Sequence, residues 1–219
     1  MDPTRSKRLL FSGLLWGALA PVACAPVFSD FQSAKLVGRD RVEVTPSASS
    51  VWASGSDGGH VQNEYGLQVG AGVLDRLELR ARYVRVEGVN EVGGINGVGF
   101  GPKIGLVKDR IALAVPVGFA FGEDVEIAKT WTVHPTLLLT HPVMPRLELN
   151  ASVKGVIPLS KDGGDKLVAV NFGIGFGDLE RWAIRPEIGF LFDPGESGHF
   201  TQFGLGITLF AGKRKPTGF

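Results

Sequence analysis

From about residue 41 onward, hydrophobic and small or polar positions alternate one for one along the chain. The cleanest stretch sets Ile111, Leu113, Val115, Val117, Phe119 and Phe121 against Ala112, Ala114, Pro116, Gly118 and Ala120. A 3.6-residue period would scatter these side chains around a helix, whereas a strand sends them to opposite faces. The same pattern predicts strands over 41–53 and 60–73. It continues with Leu77, Leu79, Ala81 and Tyr83 against Arg76, Glu78, Arg80 and Arg82, then Val98, Phe100, Ile104 and Leu106 against a glycine-rich face holding Lys103. Trp131, Val133, Leu137 and Leu139 oppose Thr132, His134, Thr136 and Thr140, and Leu147, Leu149, Ala151 and Val153 oppose Glu148, Asn150, Ser152 and Lys154. Three more strands carry Val168 to Phe176, Trp182 to Phe192 and Phe203 to Leu209. Together these give an all-β chain of about ten strands. Pro46, Pro102, Pro116, Pro135 and Pro186 fall inside strands, where each removes a ladder donor, and are expected to mark bulges.

The connections alternate in length. Leu74-Asp75, Lys108-Asp109, Pro142 to Pro145 and Asp178 to Glu180 read as tight turns. Between them fall longer, acidic and glycine-rich loops beginning near Ser54, Glu87, Gly122, Ser160 and Asp193. Short turns at one end and long loops at the other are the plan of a closed antiparallel up-and-down transmembrane β-barrel. Polarity points the same way. The large apolar side chains occupy one face almost free of charge, while the charges share the other face with glycine, alanine and threonine. A soluble barrel puts its apolar face inside, so the crowded charged face reads here as the interior. Trp52 and Trp131 fall at the loop end and Trp182 at the turn end, as interface aromatics do in membrane barrels.

The first residues belong to a different segment. Arg5, Lys7 and Arg8 precede an apolar run, Leu9 to Ala20, of the length an export signal uses. Cys24, the only cysteine in the chain, follows directly and resembles a lipoprotein processing site, with ordinary signal cleavage as the alternative. The expected organisation is a signal over 1–24, an extended segment over 25–40, a barrel over 41–210 and a basic tail over 211–219. Lys and Arg total 23 against 22 for Asp and Glu, a balance that argues against nucleic acid as a partner. The 31 glycines, without a Gly-X-Y period, suit crowded strands rather than collagen.

Candidate chemistry sits on the inner face. Glu43, Glu64, Arg76, Glu78, Arg80, Arg82, Lys103, Glu148, Lys154, Arg185 and Glu187 either line a pore or plug it by pairing with one another. Near-equal numbers of both signs favour the plug. His60 and His199 begin strands at the loop end near Asp57 and Glu196, which opens an outer-rim hydrolase as an alternative. Their spacing matches no ligand motif, so neither a metal nor a catalytic residue is expected. His134, between threonines, reads as a hydrogen-bonded interior residue. The acidic loops read as hydrophilic surface. Gly97-Val98-Gly99-Phe100-Gly101 lies within a strand, with no helix behind it to cradle a phosphate.

Phe31 to Lys35, Gly101-Pro102-Lys103, His134 to Leu138 and Arg181 to Glu187, with the strand pattern, resemble the uncharacterised small outer-membrane β-barrel proteins of bacteria. The resemblance covers most of the chain after the export segment. It implies an outer-membrane location, with lipid and the assembly machinery as partners, and supplies no activity, catalytic residue or cofactor. Such barrels close on a terminal aromatic, a part that Phe210 or Phe219 fills here. The expected role is a monomeric barrel with a structural or narrow-channel function. The alternative outside the membrane is a periplasmic or lipid-anchored barrel that binds an apolar ligand, which requires the Phe and Leu faces to point inward.

Overall fold

A computed structural model describes residues 27–55, 58–88, 94–123, 125–161, 163–195 and 197–212. The export segment with Cys24 lies outside these residues, as do 213–219 of the tail and Asp57, Glu91, Asp124, Asp162 and Glu196 of the loops.

The strands are β1 (Val42–Ala53), β2 (His60–Leu74), β3 (Leu77–Gly88), β4 (Ile95–Val107), β5 (Ile111–Ala114), β6 (Val117–Phe121), β7 (Thr132–Val133), β8 (Thr136–Met144), β9 (Leu147–Pro158), β10 (Leu167–Phe176), β11 (Trp182–Phe192) and β12 (His199–Ala211). All pairings are antiparallel, and β12 returns to β1 to close the sheet. β5 and β6 lie end to end against β4, and β7 and β8 end to end against β9, so the segments form ten staves. Closure leaves no unpaired edge.

The in-strand prolines do not make bulges. Register runs on unchanged past Pro46, Pro102, Pro116, Pro135 and Pro186, and the shifts fall instead at Val51/Trp52, Gly72/Leu74, Gly105/Val107 and Pro142/Met144, near strand ends. The reason is that a proline keeps its carbonyl. Pro102, Pro116 and Pro135 accept from the N–H groups of Val115 (3.0 Å), His134 (2.8 Å) and Gly155 (2.9 Å). Opposite Pro116, the Thr136 hydroxyl donates to the His134 carbonyl at 3.0 Å and replaces the missing donor.

Side chains alternate between two environments. Phe100, Phe172, Phe203 and Leu209 face outward and are 58, 51, 53 and 53% exposed, within an apolar band carried by every stave. Soluble monomers rarely expose an apolar patch of more than a few hundred Å². A barrel that binds an apolar ligand through these faces therefore does not fit. The inner face holds the polar groups, with Glu78 and Glu148 fully enclosed.

Candidate functional site: the occupied lumen

The lumen is filled by residues 27–41 of the same chain. The segment starts in the loop-end half, where Phe28 packs with Val51, Val156, Ala169 and Leu191. It runs down the barrel to Gly38 and Arg39, which bond and bridge to Gly72 near the turn end, and then turns through Asp40 into β1. Asp40 makes this turn in the left-handed region at φ 61°.

Inside the barrel the segment forms no sheet ladder, so its backbone groups need other partners. Wall side chains supply them. The Glu187 carboxylate accepts the successive N–H groups of Asp30 and Phe31 through its two oxygens, both at 2.8 Å. Two N–H groups converging on one anion suit the left-handed turn at Phe31, φ 47°, a conformation that costs a bulky residue roughly 1–3 kcal/mol. The Thr140 hydroxyl accepts from Ala34 N–H at 2.7 Å, and Glu78 accepts from Val37 N–H at 3.0 Å. In the other direction, Lys154 donates to the carbonyls of Phe28 and Ser29, Asn171 to Phe28, Gln68 to Asp30 and Lys103 to Lys35. Arg82 donates to the carbonyl and hydroxyl oxygens of Ser29.

Ion pairs tie the segment down further. Asp30 pairs with Lys154 at 2.7 Å and also accepts from Asn171 and Ser152, while Lys35 reaches Glu148 at 2.9 Å. At the turn end, Arg41 pairs with Glu180 at 3.2 Å and lies over the Phe210 ring at 5.3 Å.

The inner charges thus divide between two tasks. Arg80 bridges Glu43 and Glu78, Lys103 reaches Glu78, and Arg185 reaches Glu148 at 2.9 Å, so these pair across the wall. Glu187 and Lys154 are committed to the segment instead, and Glu64 accepts from Ser49 and Gln62. Arg76 corrects its sequence assignment. It is exposed in the turn between β2 and β3, because the alternating phase runs one residue past the strand start. Trp52 and Trp131 sit at the loop end and Trp182 at the turn end, each about two-fifths exposed.

The wall is shaped to the segment. A Cβ on Gly189 would strike Asn171 and press on the Phe28 ring, one on Gly204 would strike Phe31, and one on Gly206 would lie 2.9 Å from Phe31 Cβ. The sequence carried that signal, since an inner face this rich in glycine leaves space for something besides the strands' own side chains. The contributions of Asp30, Lys35, Gln68 and Asn171 went unread because 27–41 has no alternation of its own.

The rim histidines have ordinary partners. His60 Nε2 lies 3.0 Å from Asn63 Oδ1, with its ring 5.1 Å from Trp52, and His199 packs on Phe190 and Phe192. Among the described residues no group of three or more His, Cys, Asp or Glu side chains is placed to hold a metal. His134 faces the lumen with Nε2 at 2.7 Å from the Thr132 hydroxyl.

No protein-family model matches the chain, and no curated protein is similar enough to count as a relative. Solved structures share the architecture. The chain is similar to the KdgM porin, with TM-score 0.43 and 8% identity over 76% of this chain and 97% of that one. It is also similar to the N-terminal β-barrel domain of Pseudomonas aeruginosa OprF, with TM-score 0.37 and 14% identity over 80% and 99%. A third is Ail, the attachment invasion locus protein of Yersinia pestis, with TM-score 0.37 and 10% identity over 79% and 99%.

Proposed function

We propose that this chain is a bacterial outer-membrane barrel with a structural role, closed to solute flow by its own N-terminal segment. The observation that carries this reading is the occupancy of the lumen by residues 27–41. Below that segment's midpoint the interior is close-packed. Ala34, Val37, Ala112, Leu138, Lys103 and Thr208 are at most 2% exposed, so no aqueous path reaches the turn end. The outward apolar band supports lipid as the surrounding medium, with the assembly machinery as an earlier partner. Export by the N-terminal signal, with Cys24 as a lipid anchor, belongs to the same proposal. Mass spectrometry of the mature N-terminus tests that part.

Planar-bilayer conductance tests the closure. Wild type is expected to be silent, whereas deletion of residues 28–36, or the pair Asp30→Ala and Glu187→Ala, produces conductance steps. Steps from wild type equal to those of the variants would overturn the closed-barrel reading and favour a narrow channel.

A further inference from the structure

Beside the segment, the loop-end half of the lumen keeps a cavity of ≈ 210 Å³. It reaches from the loop between β9 and β10, at Gly163 to Leu167, down to Arg80 and Thr136. Its floor is the packed cluster of Ala34, Ala112, Ala114 and Leu138, so it is blind at the turn end. The cavity exists because β4, β5 and β6 present almost no side chains inward: Gly97, Gly99 and Gly101 face Ala114, Pro116 and Gly118. A Cβ on Gly99 would meet nothing closer than the Val117 carbonyl at 3.7 Å, whereas the glycines against the segment have no such room. Val84, Pro116, Ala120 and Val156 make the walls apolar.

One side of this cavity is polar and incompletely satisfied. Of the three cations that line it, Arg80 is paired with Glu43 and Glu78, and Lys154 with Asp30. Arg82 bonds only the neutral oxygens of Ser29, and its Nε is buried without a partner. The side-chain Oε1 of Gln32, which also lines the cavity, is buried and unpartnered as well. A buried N–H of a guanidinium left without an acceptor costs about 1–3 kcal/mol or more, and it is a ready site for an incoming oxygen. Because amide oxygen and nitrogen are interchangeable by a flip, Gln32 can offer either a donor or an acceptor to the same group.

We infer that this cavity is a binding site, open at the loop end, for a small carboxylate with an apolar body about the size of one ring. Its carboxylate takes the Arg82 Nε and the Gln32 amide, and its body lies against Val84, Pro116 and Val156. Size permits this, since a dry cavity of about 150 Å³ already accepts benzene. The sign of the charge follows from Arg82, the lining cation without an ion pair among the described residues. The site needs no opening of the lumen, so it stands or falls apart from the conductance result.

The test is titration of benzoate, and of its neutral analogue benzamide, into the full chain in lipid nanodiscs, read by calorimetry and saturation-transfer NMR. Wild type is expected to bind benzoate, and benzamide on the order of tenfold to a hundredfold more weakly, the scale of a lost charged hydrogen bond. Gly99→Leu fills the cavity without touching the segment, and Arg82→Met removes the Nε donor. Each is expected to weaken benzoate by at least the same order. Gly99→Leu keeps the test decisive if loss of the Ser29 contacts perturbs folding of Arg82→Met. Absence of benzoate binding by wild type, or undiminished binding by Gly99→Leu, would overturn the site. Equal affinity for benzamide would overturn the carboxylate assignment.

Discussion

Gly189, Gly204 and Gly206 on β11 and β12, and Gly97 and Gly99 on β4, strip the inner wall of side chains to the same degree, yet the two regions differ in what occupies the space. Against β11 and β12 the missing side chains are replaced by Phe28 and Phe31 of the N-terminal segment, at 1 and 2% exposure. Against β4 they are replaced by nothing but the cavity. The polar groups divide along the same line. On the filled side Glu187, Lys154 and Asn171 have their partners in the segment, while on the open side the Arg82 Nε has none. Glycine in a barrel wall is thus a statement about volume, and its meaning depends on what the rest of the chain puts opposite.

The comparison breaks most sharply at Asp30. Asp30→Ala leaves Lys154 buried without its counter-ion, and removing one member of a buried pair costs about 3–5 kcal/mol. The expected result is a large fall in the urea midpoint of barrel folded in lipid vesicles, partly recovered when Lys154→Met is added. A midpoint within experimental error of wild type would show that the segment is not held there.

A smaller effect sharpens the contrast between the two walls. Gly204→Ala forces a Cβ into the Phe31 ring and to 2.7 Å from Ser49 Cβ, and overpacking of this kind costs roughly 1–3 kcal/mol. Gly99→Ala places its methyl in open space and is expected to change stability by about 0.5 kcal/mol or less. The same urea titration reads both variants, and equal losses would remove the distinction between filled and empty glycine faces.

The walls were legible in the sequence because a strand exposed to two environments writes a period of two into the chain. Phase alone assigned Glu78, Arg80 and Lys103 to the interior, where they lie. The same phase misassigned Arg76, since alternation does not announce where a strand yields to its turn. The prolines misled for a related reason. A missing N–H was taken to require a bulge, but a retained carbonyl, with Thr136 replacing one donor, holds register. The segment was illegible because its backbone is satisfied by side chains far along the chain, Glu187 from β11, Thr140 from β8 and Glu78 from β3. Contacts of that kind impose no repeat on residues 27–41. Only composition hinted at them, through glycines too numerous to fill a lumen by themselves.

Amide hydrogen exchange tests the central claim most directly. The N–H groups of Asp30, Phe31, Ala34 and Val37 bond to Glu187, Thr140 and Glu78 inside the barrel, although no strand contains them. In the folded protein in lipid they are expected to exchange as slowly as the amides of β11, and to lose protection only when the barrel itself unfolds. Exchange of these four amides at the rate of a free peptide, with β11 still protected, would contradict the account, because the lumen would then not be occupied by the N-terminal segment.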